Sequence, residues 1–525
     1  MKKTYTNIFL YLIILFSIYT AVTIGFSWDE GAVITMAKLR LKYLFSFGSS
    51  AYEPLWFSKF YPGTYSVIAI FITQLFHKSY ELEILHILNS VMGISTIFGI
   101  SKIARELFNK KIGYIVFVVS FFNPVFFGHM SMNERDLVIA FCNVWITYGL
   151  IKYLKNHHIK EKRKKLVIIL GFLLGLGSSC RVSFAATLVP VFIFFIVDIL
   201  NQKKLSIKKI NIYFFLKDLF ISLLIAYFVL IIFWPEVYPN IFTLPFTFFI
   251  ESLNLAFGVG NGIINGEIFY TNSPPKNYIL VLLFHKVPEY IIFCYLLFVF
   301  FILNKSVFFK NNFSNFYYKL ILIISILAFP NLLLIVSPFP AYDNLRLFLF
   351  LIPYIALLPG LAIYYMLENL KLNLNKILGS IIALLFVYNL YSFFALTPYQ
   401  YTYLNFFNGK FSESYNKFES DYWATSIKEL IKKTDFKRDE QIKLAICGLP
   451  RARTKYYLKK FNFKNISVVT PDEEYDYIMM SNRIYTIGET TQSCFDHYPG
   501  KIFSSVKRRG LILSLIKKNI ICRSI

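Results

Sequence analysis

Apolar residues fall in long blocks along this chain, not at the alternating or helical-stripe positions of a water-soluble fold. The first block, residues 7–26, follows Lys2 and Lys3. It has the length of a membrane-spanning helix, which needs about 20 apolar residues, and it reads as an uncleaved anchor. Further blocks occupy residues 83–101, 112–128, 137–153, 166–179, 183–200, 214–234, 277–303, 318–337, 346–366 and 377–396. A shorter block, 62–76, falls short of a crossing. It is expected as a half-inserted or interfacial helix inside a long outer loop, 28–82. The pattern therefore predicts a polytopic α-helical membrane protein of about 11 transmembrane helices over residues 1–397. Beyond 397 Lys, Asp, Glu and Asn are spread throughout, with β-like runs at 443–446 and 466–469 and a helix-like segment at 424–433. Residues 398–525 are expected to form a small α/β domain on the membrane's outer face. Its closing apolar stretch, 511–521, is too short to span and is expected as a strand or a membrane-contacting segment. No inverted repeat is visible.

Composition agrees with lipid as the main solvent. Of 525 residues, 56% are hydrophobic and 16% charged, against about 25% charged in soluble domains; mean hydropathy is +0.54. These figures exclude a soluble multidomain enzyme, a disordered chain and a small disulfide scaffold. The net charge of +25 comes without a zinc-knuckle, RRM or helix-turn-helix pattern, so no nucleic-acid partner is expected. Orientation accounts for it better, because short cytoplasmic loops collect Lys and Arg. If block 62–76 does not cross, the clusters at Lys102…Lys111, 160–165, Lys203/Lys204/Lys208/Lys209, Lys305/Lys310 and Lys371/Lys376 all share the side of the amino terminus. That side is expected to be the cytoplasm. The C-terminal domain is then extracytoplasmic, and the chain a multi-pass protein of the inner (cytoplasmic) membrane. Cys142, Cys180 and Cys294 sit in apolar runs and read as small core residues. Cys447 and Cys494 could pair if their region is extracytoplasmic.

Under this topology four polar groups lie at the outer ends of spans. Charge near a bilayer is costly and usually serves a function or a paired structural role. Asp29-Glu30 follow the first span; one carboxylate could take a hydroxyl proton, or Asp29 could cap the next helix. His129-Met-Ser-Met-Asn133-Glu134-Arg135-Asp136 fill a short outer loop, where Asp136 could equally be a helix cap. Arg181 and Arg346, the latter in Tyr342-Asp343-Asn344-Leu345-Arg346, suit phosphate oxygens; an ion pair such as Arg346 with Asp343 is the alternative. Finally, residues 398–405 and Asp421-Tyr422-Trp423 combine aromatics with a carboxylate. That pairing suits a sugar ring, or an ordinary interfacial belt. The pair His157-His158 reads as solvated cytoplasmic surface. Together the four groups resemble a site for a lipid phosphate and a hydroxylic acceptor.

Trp28-Asp29-Glu30 after the first span and Asn133-Glu-Arg-Asp136 in the second outer loop resemble the C-type glycosyltransferase superfamily. More narrowly, they resemble the bacterial glycosyltransferase family 39 proteins related to the protein O-mannosyltransferases and the lipid A aminoarabinose transferase. Tyr342-Asp343-x-x-Arg346, the 398–405 segment and Asp421-Tyr422-Trp423-x-x-Ser426 look like a bacterial subgroup. The resemblance implies transfer of one sugar from a polyprenyl-phosphate carrier to a hydroxyl on the outer face, with inversion. It implies Asp29, Glu30 and Asp136 as the catalytic set, with Asp29 as general base and Asp136 and Arg135 organising the site. Arg181 and Arg346 would hold the leaving phosphate, and Tyr342, Asp343 and Asp421 would complete the substrate contacts. The partners implied are a polyprenyl-phosphate-linked sugar donor, a lipid, glycan or protein acceptor, and membrane lipids. Phe60-Tyr61-Pro62-Gly63 departs from the motifs of both relatives in this loop. No cofactor is firmly implied, and a divalent metal stays open. No glycine loop for ATP is present, and no cytoplasmic loop could house a nucleotide-sugar domain. The alternatives are an oligosaccharide transferase or ligase using a diphosphate carrier, a polyprenyl-lipid flippase or transporter, and an inactive binding subunit.

Overall fold

The computed structural model describes residues 2–201, 205, 210–254 and 260–519, and each of the eleven apolar blocks carries helix. The basic cluster Lys203/Lys204/Lys208/Lys209 and the end of the stretch 511–521 lie outside the described residues. Helices α1 (Lys2–Thr23), α2 (Glu30–Phe45) and α3 (Thr64–Thr73) precede α4 (Glu81–Leu107), α5 (Lys110–Phe121), α6 (Pro124–His129) and α7 (Glu134–Asn156). Then come α8 (Lys160–Cys180), α9 (Val189–Asn201), α10 (Ile212–Ile231) and α11 (Leu244–Asn254). A hairpin, β1 (Asn261–Ile264) and β2 (Glu267–Tyr270), leads to α12 (Tyr278–Lys286), α13 (Glu289–Asn312) and α14 (Phe316–Val336). Helices α15 (Ile352–Ile355), α16 (Leu357–Glu368) and α17 (Asn373–Ala395) complete the bundle.

Among the described residues, eight helices are long and apolar enough to cross a membrane. The other three of the eleven blocks fall short for local reasons. The apolar part of α1, Asn7–Thr23, is shorter. Helix α8 opens on a run of Lys, Glu and Arg through Lys165. Block 112–128, expected as one helix, is broken at Asn123-Pro124, because proline removes a helix donor and its ring clashes one turn back. Asn123 caps α6 by accepting from Phe126 N at 3.1 Å. The same effect divides block 277–303, where Pro288 forces Val287 into extended backbone (φ −87°, ψ 136°).

The ends of the bundle differ chemically. At the end carrying Lys111, Arg163 and Lys152, ion pairs tie neighbouring helices: Lys152 and Lys155 to Glu106, Lys111 to Glu368, and Arg163 to Asp218. Asp136, Arg181 and Arg346 lie a helix length away, at the opposite end. The loop 28–82 holds more structure than one interfacial helix. Helix α3 is there, packed on α2, α4 and α8. Arg40 of α2 pins the segment before it, donating to Ser58 O (3.1 Å), Tyr61 O (2.8 Å) and Pro62 O (2.6 Å). It also pairs with Glu236 at 2.7 Å. Gly63 sits at φ 74°, with Arg40 where a Cβ would point, so this turn requires glycine.

After α17 the chain forms α18 (Ile427–Lys433), β3 (Ile442–Cys447), α19 (Arg451–Lys460), β4 (Ile466–Val469) and β5 (Tyr477–Ser481). Hairpin β6 (Ile484–Ile487) and β7 (Thr490–Ser493), α20 (Cys494–His497), β8 (Lys501–Arg508) and β9 (Leu511–Lys518) follow. The sheet order is β4-β3-β5-β9-β8, parallel through β5 and antiparallel beyond. The closing apolar stretch is thus an inner strand, with Leu511, Leu513 and Ile516 fully buried. Cys447 and Cys494 form a disulfide, while Cys142, Cys180 and Cys294 are free and buried. The domain docks on the bundle through Lys428, which donates to Val22 O and Ile24 O at the end of α1 (2.8 and 3.2 Å). Phe26 N donates to Tyr457 Oη at 2.7 Å.

Candidate active site

Three of the four polar groups expected from the sequence meet at one cavity of about 610 Å³, in the size range of small-ligand sites. Its floor is built on Arg346, which opens the last buried span. Arg346 Nε donates to Asp136 Oδ2 (3.1 Å), Nη1 to Asp343 Oδ2 (2.7 Å), and Nη2 to Asp29 Oδ2. Its guanidinium also lies 4.5 Å from the Trp423 ring centroid. The pairing with Asp343 foreseen as a structural alternative is real, but it is one of three. Asp136 is bridged further to Arg181 Nη2 at 3.1 Å, and Asp343 to Arg483 Nη2 at 3.2 Å. The result is a chain of alternating charge from α8 to the C-terminal domain.

Asp29 stands at the N-cap position of α2, yet its side chain makes no capping bond. Oδ2 goes to Arg346, and Oδ1 carries no hydrogen bond among the described residues while the residue lines the cavity. Burial pushes its carboxyl up, but the Arg346 and Arg135 guanidiniums outweigh that and hold it below the usual carboxylate range. Glu30 points elsewhere. It accepts from Ser27 N at 2.5 Å and pairs with His86 Nε2 at 2.7 Å, both buried. Asn133, not Asp136, caps α7, accepting from Asp136 N at 3.4 Å.

Arg135 lines the cavity with its guanidinium stacked 4.1 Å from the Tyr61 ring centroid, and it has no ion pair among the described residues. Arg181 reaches the site through Asp136 and is not on the cavity wall. Tyr342 is on the wall beside Arg346. Asp343 and Asn344 take left-handed backbone (φ 54° and 59°), which Asp and Asn tolerate best among non-glycine residues. This turns both side chains back toward the site.

The fourth group is different. Asp421 is fully buried off the cavity, accepting from Thr425 N and Ser426 N (each 3.0 Å) and from Tyr401 Oη. Tyr399, Tyr401, Tyr403, Tyr422 and Trp423 are equally buried. They are neither an exposed sugar platform nor an interfacial belt, but the packed joint between bundle and C-terminal domain. His129 belongs to this joint, bonded to Tyr422 Oη at 2.9 Å. His157, expected on solvated surface, is buried and hydrogen-bonded to Leu154 O at 3.1 Å; its neighbour His158 is exposed.

Several cavity residues carried no sequence signal. Glu419, Arg483, Tyr485 and Thr486 come from the C-terminal domain, and Asn261 and Phe269 from the β1–β2 hairpin. Charges in water-facing segments are common and do not stand out. Arg40 did leave a trace, since Val33, Ala37, Arg40 and Leu41 form one stripe of α2 and all are buried. Among the described residues no group of three or more His, Cys, Asp or Glu could hold a metal ion.

Residues 62–238 match the family model described as dolichyl-phosphate-mannose-protein mannosyltransferase. No curated protein sequence matches the chain. Among solved structures it is similar to ArnT from Cupriavidus metallidurans bound to undecaprenyl phosphate. The TM-score is 0.50 at 10% identity, covering 99% of each chain. The apo state of that protein gives a TM-score of 0.48 at 11% identity, covering 98% of each chain. The archaeal oligosaccharyltransferase AglB from Archaeoglobus fulgidus, in complex with an inhibitory peptide and a dolichol-phosphate, gives 0.47 at 10% identity. That match covers 91% of this chain and 70% of AglB. At 10% identity the likeness to the first of these structures is one of fold.

Proposed function

We propose that this chain is a C-type glycosyltransferase that moves a single sugar from a polyprenyl-phosphate carrier to a hydroxyl acceptor on the outer face of the membrane, a reading supported by the mannosyltransferase family match over residues 62–238 and the ArnT-like fold. The observation that carries this reading is the pairing, in one cavity, of a carboxylate with an open oxygen (Asp29 Oδ1) and a guanidinium with no ion pair among the described residues (Arg135). The acceptor oxygen attacks the anomeric carbon while its proton passes to Asp29 Oδ1. The bond between that carbon and the phosphate oxygen breaks, and both electrons leave with the phosphate. Attack opposite the leaving group inverts the anomeric centre.

The roles implied by the resemblance are redistributed. All three directions of the Arg346 guanidinium are spent on carboxylates, so Arg346 orients Asp29 and Asp136. The leaving phosphate falls to Arg135, whose charge meets the charge that develops on it. One uncommitted guanidinium suits one phosphate, which favours a monophosphate carrier over the diphosphate of an oligosaccharide donor. Glu30 positions the segment before α2 through Ser27 N.

The test is release of free polyprenyl phosphate from synthetic polyprenyl-phosphate sugars, with crude envelope as acceptor. Asp29→Asn should lower turnover at least about 100-fold, the scale of a lost general base. No release from any mono- or diphosphate donor, by protein that still moves lipid across vesicles, would replace this reading with a transporter.

A further inference from the structure

The cavity has two unlike ends. Arg135, Tyr61 and Phe57 make one cationic and aromatic, and a small recess continues behind Tyr61 and Arg135 toward α2 and α3. At the other end the wall is polar, with Thr271, Asn344, Tyr485 and Thr486 around Glu419, beside the ion pair of Arg483 with Asp343. Glu419 is 5% exposed. Its Oε1 accepts from Ile484 N at 3.2 Å, and its Oε2 has no hydrogen bond among the described residues. Nor is Oε2 among the fully enclosed unbonded atoms, which leaves it facing the cavity. Asn261 Nδ2 of the β1 hairpin donates to Thr486 Oγ1 of β6 at 2.8 Å, so this wall is completed by the docked C-terminal domain.

We infer that this end is a subsite for a polyhydroxylated sugar ring, with Glu419 Oε2 accepting from ring hydroxyls. The inference rests on the glycosyltransferase reading and assigns the ligand class to one half of its cavity. A phosphate is disfavoured there, because it would meet the Glu419 carboxylate while Arg483 is already paired with Asp343. An apolar group would take water from the carboxylate oxygen and offer it no donor in return. A lone ammonium group meets Arg483, which pairs with Asp343 on the same wall. A ring bearing several hydroxyls matches both the carboxylate and the hydroxyl and amide groups around it. The ring could arrive as the sugar of the donor or as the acceptor glycan. The chemistry is shared, and the experiment separates the two sources.

The full chain in lipid nanodiscs is titrated with three probes: polyprenyl phosphate, polyprenyl-phosphate hexoses, and free di- to tetrasaccharides. At about pH 8.5, where Glu419 is ionised, Glu419→Gln should weaken binding of a sugar-bearing probe about 10–100-fold, as expected for loss of a charge-assisted hydrogen bond, and leave polyprenyl phosphate unchanged. A deficit confined to the lipid-linked hexose identifies the donor sugar; one confined to the free saccharide identifies the acceptor. Tyr485→Phe removes a half-exposed hydroxyl without touching the core and should give the same pattern at about 2–10-fold. The inference is overturned if both variants bind every probe as the wild type does, or if Glu419→Gln weakens polyprenyl phosphate equally. Wild-type protein that binds the sugar-bearing probes through Glu419 but releases no polyprenyl phosphate from them would sink the transfer reading alone.

Discussion

Arg346 and Arg135 carry the same charge into the same cavity, yet their replacement should differ in its effect on the fold. Removing the Arg346 guanidinium leaves Asp29 without an ion pair, and Asp136 and Asp343 with one partner each, Arg181 and Arg483. Breaking a buried pair from one side costs roughly 3–5 kcal/mol, so Arg346→Gln should lose folded protein as well as activity. Arg135 braces nothing by an ion pair among the described residues, and Arg135→Gln should melt normally while polyprenyl-phosphate release falls by about 100-fold or more. Thermal melting and turnover on the same preparations separate the two. Glu419 gives a pH signature. Burial, with Asp343 adding and Arg483 opposing, pushes its carboxyl up to about 7. A carboxyl raised above its unfolded value of about 4.3 stabilises the fold while protonated, and loses that contribution as pH rises through its folded value. Melting temperature should therefore fall between about pH 4 and 7, and Glu419→Gln should flatten the fall. Asp421, pushed up to about 6 by burial, keeps part of the slope in either protein. The charges that sequence alone could single out were those at span ends, where a lone Asp or Arg is expensive. Asp29, Asp136, Arg181, Asp343 and Arg346 were legible for that reason. Glu419 and Arg483 lie in polar sequence, where a charge means little until its neighbours are known.

At the scale of elements, the cavity wall depends on how hairpin β6–β7 leaves the sheet. Cys494 N donates to Arg483 O at 2.9 Å, and the Cys447–Cys494 disulfide anchors that point to the end of β3. Replacing both cysteines by serine should cost about 2–4 kcal/mol. It should also loosen Arg483, which non-reducing peptide mapping and denaturation of the C-terminal domain would register together. A second close contact sits at Gly128 of α6. A Cβ there would fall on Tyr401 N and the backbone of Gln400. Gly128→Ala should wedge α6 from the buried 398–405 segment and cost about 1–3 kcal/mol, the range for overpacked cores; a fall in melting temperature with the disulfide intact would register it. The strands β3 and β4 were readable because short apolar runs between polar turns have few other uses. The β1–β2 hairpin was not. Asn261, Gly262 and Gly266 mark a turn, but nothing in the local pattern says that it folds against a hairpin more than 200 residues later. The tyrosines of 398–405 misled for a related reason, since aromatic residues look alike at an interface and in a core.

For the whole molecule, the bundle's polarity is the feature on which the lipid-linked donor depends. The clusters Lys102…Lys111 and 160–165 end at one face, bound across helices by Glu106, Asp218 and Glu368, while Asp29, Asp136 and the C-terminal domain close the other. This separation was legible from charge alone, because one rule about basic loops assigned every cluster at once. The span ends were not, since Pro124 and Pro288 break helices that hydropathy draws as continuous. The structure fixes which ends lie together, and the positive-inside rule orients them. Lys162→Cys and Glu489→Cys, both exposed and at opposite ends of the molecule, test that orientation. In right-side-out vesicles an impermeant maleimide should label Glu489→Cys directly, and Lys162→Cys only after the membrane is opened. The reverse result would place the cavity in the cytoplasm, where nucleotide sugars are at hand. The physical case for a sugar delivered on a lipid carrier would then fall, whatever Asp29 and Arg135 do in the site.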